Sequence, residues 1–441
     1  MTKEVQFRRF FRLTSMITDT FPAGGAKFLD LSFKNLLGNM FVMKAVAHQA
    51  GRRLKGAGRF RKFLVAADLN IGDAVIAQGG IAALREIFPD AEIDCVVKKS
   101  TMNLFLGDPD ILNLYPVYVG APYPADSDLR ELSRIARSKD YDVIVNFSPM
   151  IGDKVFGSKR VVNYSLMAAQ LIRNEGIAGA GNNVVYQAHN FVGTVFQDHA
   201  NAELDSRFNG ARIFLSGEAL EEASAFLLSQ DLSREQQLIM FNPDASAKYT
   251  RMPFDLQLNL LNKLSDFDVT ILLGSGHVER YIEHELVYSL PPGKRRKVVI
   301  VPRATGLDVY AALVDLSDVY VSGDTGPLHL AAARKFLRGS GQSLRNRTAV
   351  ISIFGGTPPK IYGYDSSAPG FFPANQDAPS KTFVAGNTCR NITCINKMAK
   401  TCKDVRCFLS LDPNEVVSEI SVHLDAARRS RHRERLQILA K

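Results

Sequence analysis

The run Ser322-Gly323-Asp324-Thr325-Gly326-Pro327-Leu328-His329-Leu330-Ala331-Ala332-Ala333 joins the end of an apolar strand, a Gly-Asp-Thr-Gly turn and an immediate helix start. Open parallel sheets bind ligands at the carboxyl ends of their strands, and the free N–H groups of a following helix favour phosphate. Residues 324–329 are therefore a candidate cradle for a diphosphate. Gly323 and Gly326 permit close backbone approach, Thr325 and His329 can donate hydrogen bonds, and Asp324 and Pro327 complete the turn. The same residues would equally make a plain strand-helix turn capped by Asp324, with His329 a satisfied helix histidine.

Two further strand ends carry polar residues. Asn70-Ile71-Gly72-Asp73 closes the apolar run FLVAADL (63–69), and a loop carboxylate such as Asp73 can act as a general base if a proton partner comes within hydrogen-bond reach. A Gly-Asp pair also serves as an ordinary helix N-cap. The stretch Asn242-Pro243-Asp244-Ala245-Ser246-Ala247-Lys248-Tyr249-Thr250-Arg251-Met252-Pro253 offers Ser246 and two cations, Lys248 and Arg251, which could neutralise a leaving diphosphate or simply form a solvated loop.

The elements that must position these residues alternate. Strand 63–69, helix 74–88, strand 91–99, helix 127–139 and strand 141–148 form one unit. Helix 217–230, strand 237–243, helix 254–266, strand 268–276, strand 298–302, helix 307–317, strand 318–324, helix 327–336 and strand 348–356 form a second. That rhythm predicts two parallel sheets with crossover helices. Residues 337–347 (LRGSGQSLRNR) read as a polar surface loop, and Asp412-Pro413 opens a long final helix with Val416, Val417, Ile420 and Leu424 on one stripe. Beyond Ala427 that helix turns Arg-rich and is expected to leave the body.

The chain has 441 residues, 46% of them hydrophobic and 22% charged, which suits two or three globular domains and excludes a disordered or fibrous protein. A net charge of +9 suggests a polyanionic partner until it is located. Residues 1–62 hold 13 Lys/Arg against Glu4, Asp19 and Asp30, and residues 426–441 hold six against Glu434, which leaves −6 for the body. The ends are basic and the body is mildly acidic. Phe28, Leu29, Phe33, Leu36, Leu37, Met40 and Phe41 recur at near-helical spacing in the leader. It reads either as an accessory helix with a solvated basic flank or as a segment seated on anionic lipid. No uncharged apolar stretch reaches ~18 residues and no secretion signal is evident, so a cytoplasmic protein is expected.

The segments GDAVIAQGGIAALREIFPDAEID, NPDASAKYTRMP, ILLGSGHVERYIEHEL, SDVYVSGDTGPLHLAAA and IFGGTPPKIYG occur in an order and spacing that resemble the family 9 glycosyltransferases, the lipopolysaccharide heptosyltransferases. The resemblance spans roughly 61–425. It implies an α/β GT-B fold of two Rossmann-like parallel-sheet domains facing a cleft, an acceptor domain (61–210) and a nucleotide-sugar domain (211–412). Apart from the resemblance, charge and apolar spacing give a basic helical leader (1–60) and a C-terminal helix with basic tail (413–441). The resemblance also implies metal-independent, inverting transfer of a sugar, commonly heptose from ADP-heptose, to a lipopolysaccharide-core or related glycolipid at the inner face of the cytoplasmic membrane. Carried over, Asp73 matches the general base. Asp324, Thr325, Gly326 and His329 match the donor turn, and Glu279, after the Gly274 loop, matches a residue on the nucleotide ribose. The family's Lys-x-Trp-Pro is replaced by Thr250-Arg251-Met252-Pro253, so the phosphate charge falls to Arg251 or Lys248.

Four of five cysteines, Cys389, Cys394, Cys402 and Cys407, crowd into 389–407. Family members often carry such a cluster, and some that glycosylate autotransporter adhesins use it to hold iron. Without a Cys-x2-Cys pair, zinc-ribbon geometry is not implied, and reduced structural thiols stand beside a structural Zn or Fe clip. Cys95 is expected in the core. Catalysis is expected to require no cofactor. Two other functions stay open: a heptosyltransferase acting on a protein adhesin, and a non-catalytic nucleotide- or nucleic-acid-binding protein. The ends show little aromatic interleaving, which argues against a specific nucleic-acid partner.

Overall fold

The computed structural model describes residues 54, 60–67, 69–117, 126–148, 151, 153–157, 160–164, 184–199, 211–233, 235–245, 250–274, 282–334, 348–357, 359–365, 380–385 and 405–439. The leader apart from Leu54 and Phe60, the polar loop 337–347, Ser246, Lys248, Glu279, Cys389, Cys394 and Cys402 lie outside the described residues.

Short runs of β-branched and apolar residues followed by helical spacing build two wound sheets. The first uses β1 (Lys62–Ala67), α1 (Ile71–Ile87), β2 (Glu92–Lys98), β3 (Asn113–Val117), α2 (Asp126–Ser138), β4 (Val143–Asn146), β5 (Val161–Asn163) and α3 (Val184–Val195). Its strand order is β3-β2-β1-β4-β5, and every pairing is parallel. Strand β1 is almost wholly buried, as a strand covered on both faces must be. Phe60, Phe63, Phe88 and Phe196 close one end of this core through mostly edge-on ring contacts.

The second sheet follows from α4 (Gly217–Ser229), β6 (Leu238–Asn242), α5 (Phe254–Leu264), β7 (Thr270–Leu273), α6 (Ile282–Ser289), α7 (Pro292–Arg295), β8 (Val298–Ile300), α8 (Leu307–Leu316), β9 (Val319–Gly323), α9 (Gly326–Ala333), β10 (Ala349–Phe354), α10 (Pro359–Tyr362), β11 (Ser380–Val384) and α11 (Pro413–Leu439). The order is β11-β10-β9-β6-β7-β8, again all parallel. In each sheet the strand order reverses beside one central pair, β1/β4 in the first and β6/β9 in the second. The residues after β1, β6 and β9 thus lie at the two crevices where wound sheets bind ligands.

One cluster of buried apolar residues runs from the first sheet through Leu238, Met240 and Tyr320 into α8 and α9, so the two lobes share core. The extended segment 211–216 ties them further. Arg212 Nη2 lies 2.9 Å from Asp110 Oδ2 in the first lobe, and Arg334, at the end of α9, donates to the Ile213 carbonyl while pairing with Asp315. Helix α11 starts as expected, with Asp412 Oδ1 accepting from the Asn414 N–H at 2.8 Å. Val416, Ile420 and Leu424 are buried, each worth about 2 kcal/mol. The helix does not leave the body at Ala427, since Arg428 Nη2 still reaches Gln237 Oε1 at 2.8 Å. Among the described residues no helix is long and apolar enough to cross a membrane.

Candidate functional site

At the β6/β9 crevice three hydroxyl and amide groups lock together. Asn242, the last residue of β6, donates from Nδ2 to Ser322 Oγ (3.0 Å), and Ser322 Oγ lies 3.0 Å from Thr325 Oγ1. Thr325 has extended backbone and accepts the Leu328 N–H on its hydroxyl at 3.3 Å. Thr325 is therefore the cap of α9, and the alternative that gave this place to Asp324 fails because the helix starts one residue later. Pro327 occupies the first turn, where no N–H is needed.

Freed from capping, Asp324 turns inward with its side chain 11% exposed. Burial raises its carboxyl to about 6, and the nearby Thr357 hydroxyl partly opposes the rise. His329, one turn along α9, is buried with Nε2 3.7 Å from Asp324 Oδ1 and Nδ1 2.7 Å from the Tyr364 hydroxyl. Burial pulls its imidazole down to about 4, so the ring is neutral at pH 7.

The first lobe presents Asp73 here. It lies within the first turn of α1, since that helix begins at Ile71, three residues before the start expected from the apolar spacing. The residue is exposed on its outer side, while the protein mass behind it desolvates the carboxyl and raises its pKa above the ordinary value. Beneath it, burial and then the Asp73 charge hold the Tyr164 hydroxyl well above its usual range.

The starts of α1 and α9 abut directly. A Cβ on Gly326 would stand 2.8 Å from Ile71 Cβ and 3.0 Å from the Gly72 nitrogen, and one on Gly72 would stand 3.0 Å from His329 Cδ2. Only hydrogen side chains allow this approach. The site thus places a carboxylate from one lobe beside a helix N-terminus from the other.

Arg251 departs from the expectation of a cation held ready for phosphate. Its Nε and Nη2 both bond to the Ala245 carbonyl (3.0 and 2.5 Å), and Nε lies 2.5 Å from Asp244 Oδ1, so much of its charge is answered locally. Gly274 follows β7 and packs against Tyr310, whose hydroxyl would lie 2.9 Å from an added Cβ. Cys407 is buried, with Sγ 3.6 Å from the Val405 carbonyl oxygen, and Cys95 is buried as expected. Among the described residues no three His, Cys, Asp or Glu gather to hold a metal. Asn242, Ser322 and Tyr364 join the site beyond the candidate residues of the sequence. Asn242 had a signal, because it ends an apolar strand ahead of a polar loop; Tyr364 had none.

Residues 203–385 match the family model described as Glycosyltransferase family 9 (heptosyltransferase), so the chain carries a family 9 glycosyltransferase domain. Its class is accordingly that of a glycosyltransferase. Solved structures share the fold: the family 9 glycosyl transferase from Veillonella parvula DSM 2008 (TM-score 0.60, 15% identity, 82% of this chain and 97% of that one) and E. coli ADP-heptose lps heptosyltransferase II (0.59, 16%, 83% and 99%). E. coli heptosyltransferase WaaC with ADP is also similar (0.51, 14%, 82% and 99%). The two wound sheets are thus those of a GT-B fold. No curated protein sequence matches the chain.

Proposed function

We propose that the protein transfers a heptose from ADP-heptose to a lipopolysaccharide-core or related glycolipid, inverting the anomeric centre. Asp73 takes the proton of the acceptor hydroxyl, whose oxygen attacks the anomeric carbon as the bond to the diphosphate oxygen breaks. The leaving charge is met by the N-terminus of α9, by hydrogen bonds from Thr325 and His329, and by the Lys248 cation, since Asp244 engages Arg251, with no metal taking part. Gly274 and Glu279 would hold the nucleoside. The observation that carries this reading is the meeting of the Asp73 turn with the start of α9 at Gly72 and Gly326. A base and a diphosphate site on facing lobes are what direct displacement requires.

The basic ends would seat the enzyme on anionic lipid at the inner face of the cytoplasmic membrane, where such an acceptor is made. The reading is tested with a panel of nucleotide-sugars and thermal unfolding, followed by transfer to heptose-deficient lipopolysaccharide. A donor at 100 times its Kd should add about 2.7 kcal/mol. ADP-heptose should stabilise the protein most and be consumed only with acceptor present. Stabilisation by none of the panel, or by another sugar alone, refutes the heptose assignment.

A further inference from the structure

Tyr364 follows α10 and is wholly buried, its ring edge-on to His329 with centroids 5.8 Å apart. Its own carbonyl accepts from Thr382 Oγ1 of β11 at 2.7 Å, which fixes the backbone that carries the ring. The hydroxyl sits 2.7 Å from His329 Nδ1, and the other imidazole nitrogen sits 3.7 Å from Asp324 Oδ1.

A neutral imidazole carries one proton, and the group facing each nitrogen decides where it rests. An ionised carboxylate only accepts hydrogen bonds, so a bare Nε2 would set lone pair against lone pair, whereas Nε2–H is attracted to it. A phenol can donate, and by doing so it satisfies a bare Nδ1. The two neighbours therefore agree on one arrangement. We infer that Tyr364 is a positioning residue that donates to His329 Nδ1 and so holds the imidazole in the Nε2–H form, with that N–H directed into the 324–329 turn. The inference rests on the reading of that turn as the diphosphate site, and it adds a residue that no motif marks.

The arrangement has chemical value because the ring is neutral there. A fixed N–H presents a hydrogen bond to developing negative charge without a proton having to be acquired first, and preorganised donors of this kind contribute most when they cannot turn away. Without the phenol, the buried Nδ1 is left without its donor, the proton migrates there part of the time, and Nε2 then presents a lone pair to the leaving oxygen.

The test is nitrogen-15 histidine spectroscopy on the full chain, with the His329 signal identified by its loss in His329→Gln. In the wild type, Nε2 should be protonated and Nδ1 bare. Tyr364→Phe, which keeps the ring, should shift His329 towards Nδ1–H and lower kcat about tenfold while donor KM stays within about twofold. A tenfold loss lies below the 10²–10³ of deleting an oxyanion donor, because the N–H is misdirected only part of the time. An Nδ1–H signal in the wild type overturns the inference whether or not the variant folds. So does a Tyr364→Phe protein with reduced thermal stability and an unchanged tautomer, which would mark a purely structural role. If ADP moves no signal of His329, the diphosphate reading fails, while the tautomer measurement still decides what Tyr364 does.

Discussion

Gly326→Ala would probe the contact between the two lobes with a single methyl group. The added Cβ would lie 2.8 Å from Ile71 Cβ and 3.0 Å from both Ile71 Cγ2 and the Gly72 nitrogen. Non-bonded carbons rest about 3.5–4.0 Å apart, so the turns bearing Asp73 and Thr325 must separate by about 1 Å. Gly326 is the first residue of α9, where alanine is at least as good a helix former, so within α9 itself the change costs nothing. A 1 Å error in placing reacting groups costs about 100-fold, or about 2.7 kcal/mol of barrier. The expected result is kcat down about 100-fold at saturating donor, with ADP affinity within about threefold by calorimetry and a melting midpoint lowered only as far as an overpacking cost of about 1–3 kcal/mol allows. Wild-type kcat would refute the argument. A loss of ADP affinity as large as the loss in kcat would also refute it, by showing that the methyl strikes the donor and leaves the lobe contact intact.

Asp73→Asn should lower kcat by 10²- to 10⁴-fold while ADP affinity stays within about threefold, as rates and titration would show, because the amide cannot take the acceptor proton. His329 has a folded pKa lowered from 6.5 to about 4, so it contributes stability that is full above pH 6.5 and lost as pH falls towards 4. His329→Gln removes that loss, and as pH falls through this window its unfolding free energy, from denaturant titration, should gain on the wild type by up to about 3 kcal/mol. Changing Arg429, Arg431, Arg433 and Arg435 to Gln should weaken cosedimentation with anionic vesicles about 10²- to 10³-fold, at about 1 kcal/mol per cation, and leave neutral vesicles unaffected.

The wound architecture was legible because β1, β4, β6, β7, β9 and β10 are apolar enough to stand out and each ends in a polar turn. The half-buried edge strands β3, β5 and β11 were not, since they are short and Pro116 interrupts the pattern of β3. Helix boundaries at the site slipped by the residues that mattered. Ile71 and Gly72 read as loop, yet they belong to α1, because Asp73 is tolerated in a first turn where the helix dipole favours an acid. Asp324 looked like the cap because aspartate often is one, but the Asn242–Ser322–Thr325 hydroxyl cluster gives that place to Thr325. The Gly-Asp-Thr-Gly turn and the helix after it could be read along the chain. The turn's apposition to Asp73, and the engagement of Arg251 by Asp244, depend on residues far apart in sequence and could not.

Helix α9 is gripped at both ends, by Ile71 and Gly72 at its start and by the Ile213 carbonyl through Arg334 at its finish. Eight residues at 1.5 Å each make it a rod about 12 Å long. Held at the interlobe connector, that rod acts as a lever arm. A pivot of only about 10° at Arg334 would sweep the 324–326 turn through roughly 2 Å, about twice the misplacement that costs about 100-fold in rate. A small change of angle between the lobes is thereby magnified at the 324–326 turn, so the connector at Ile213 bears on how finely that turn is aligned with the Asp73 turn.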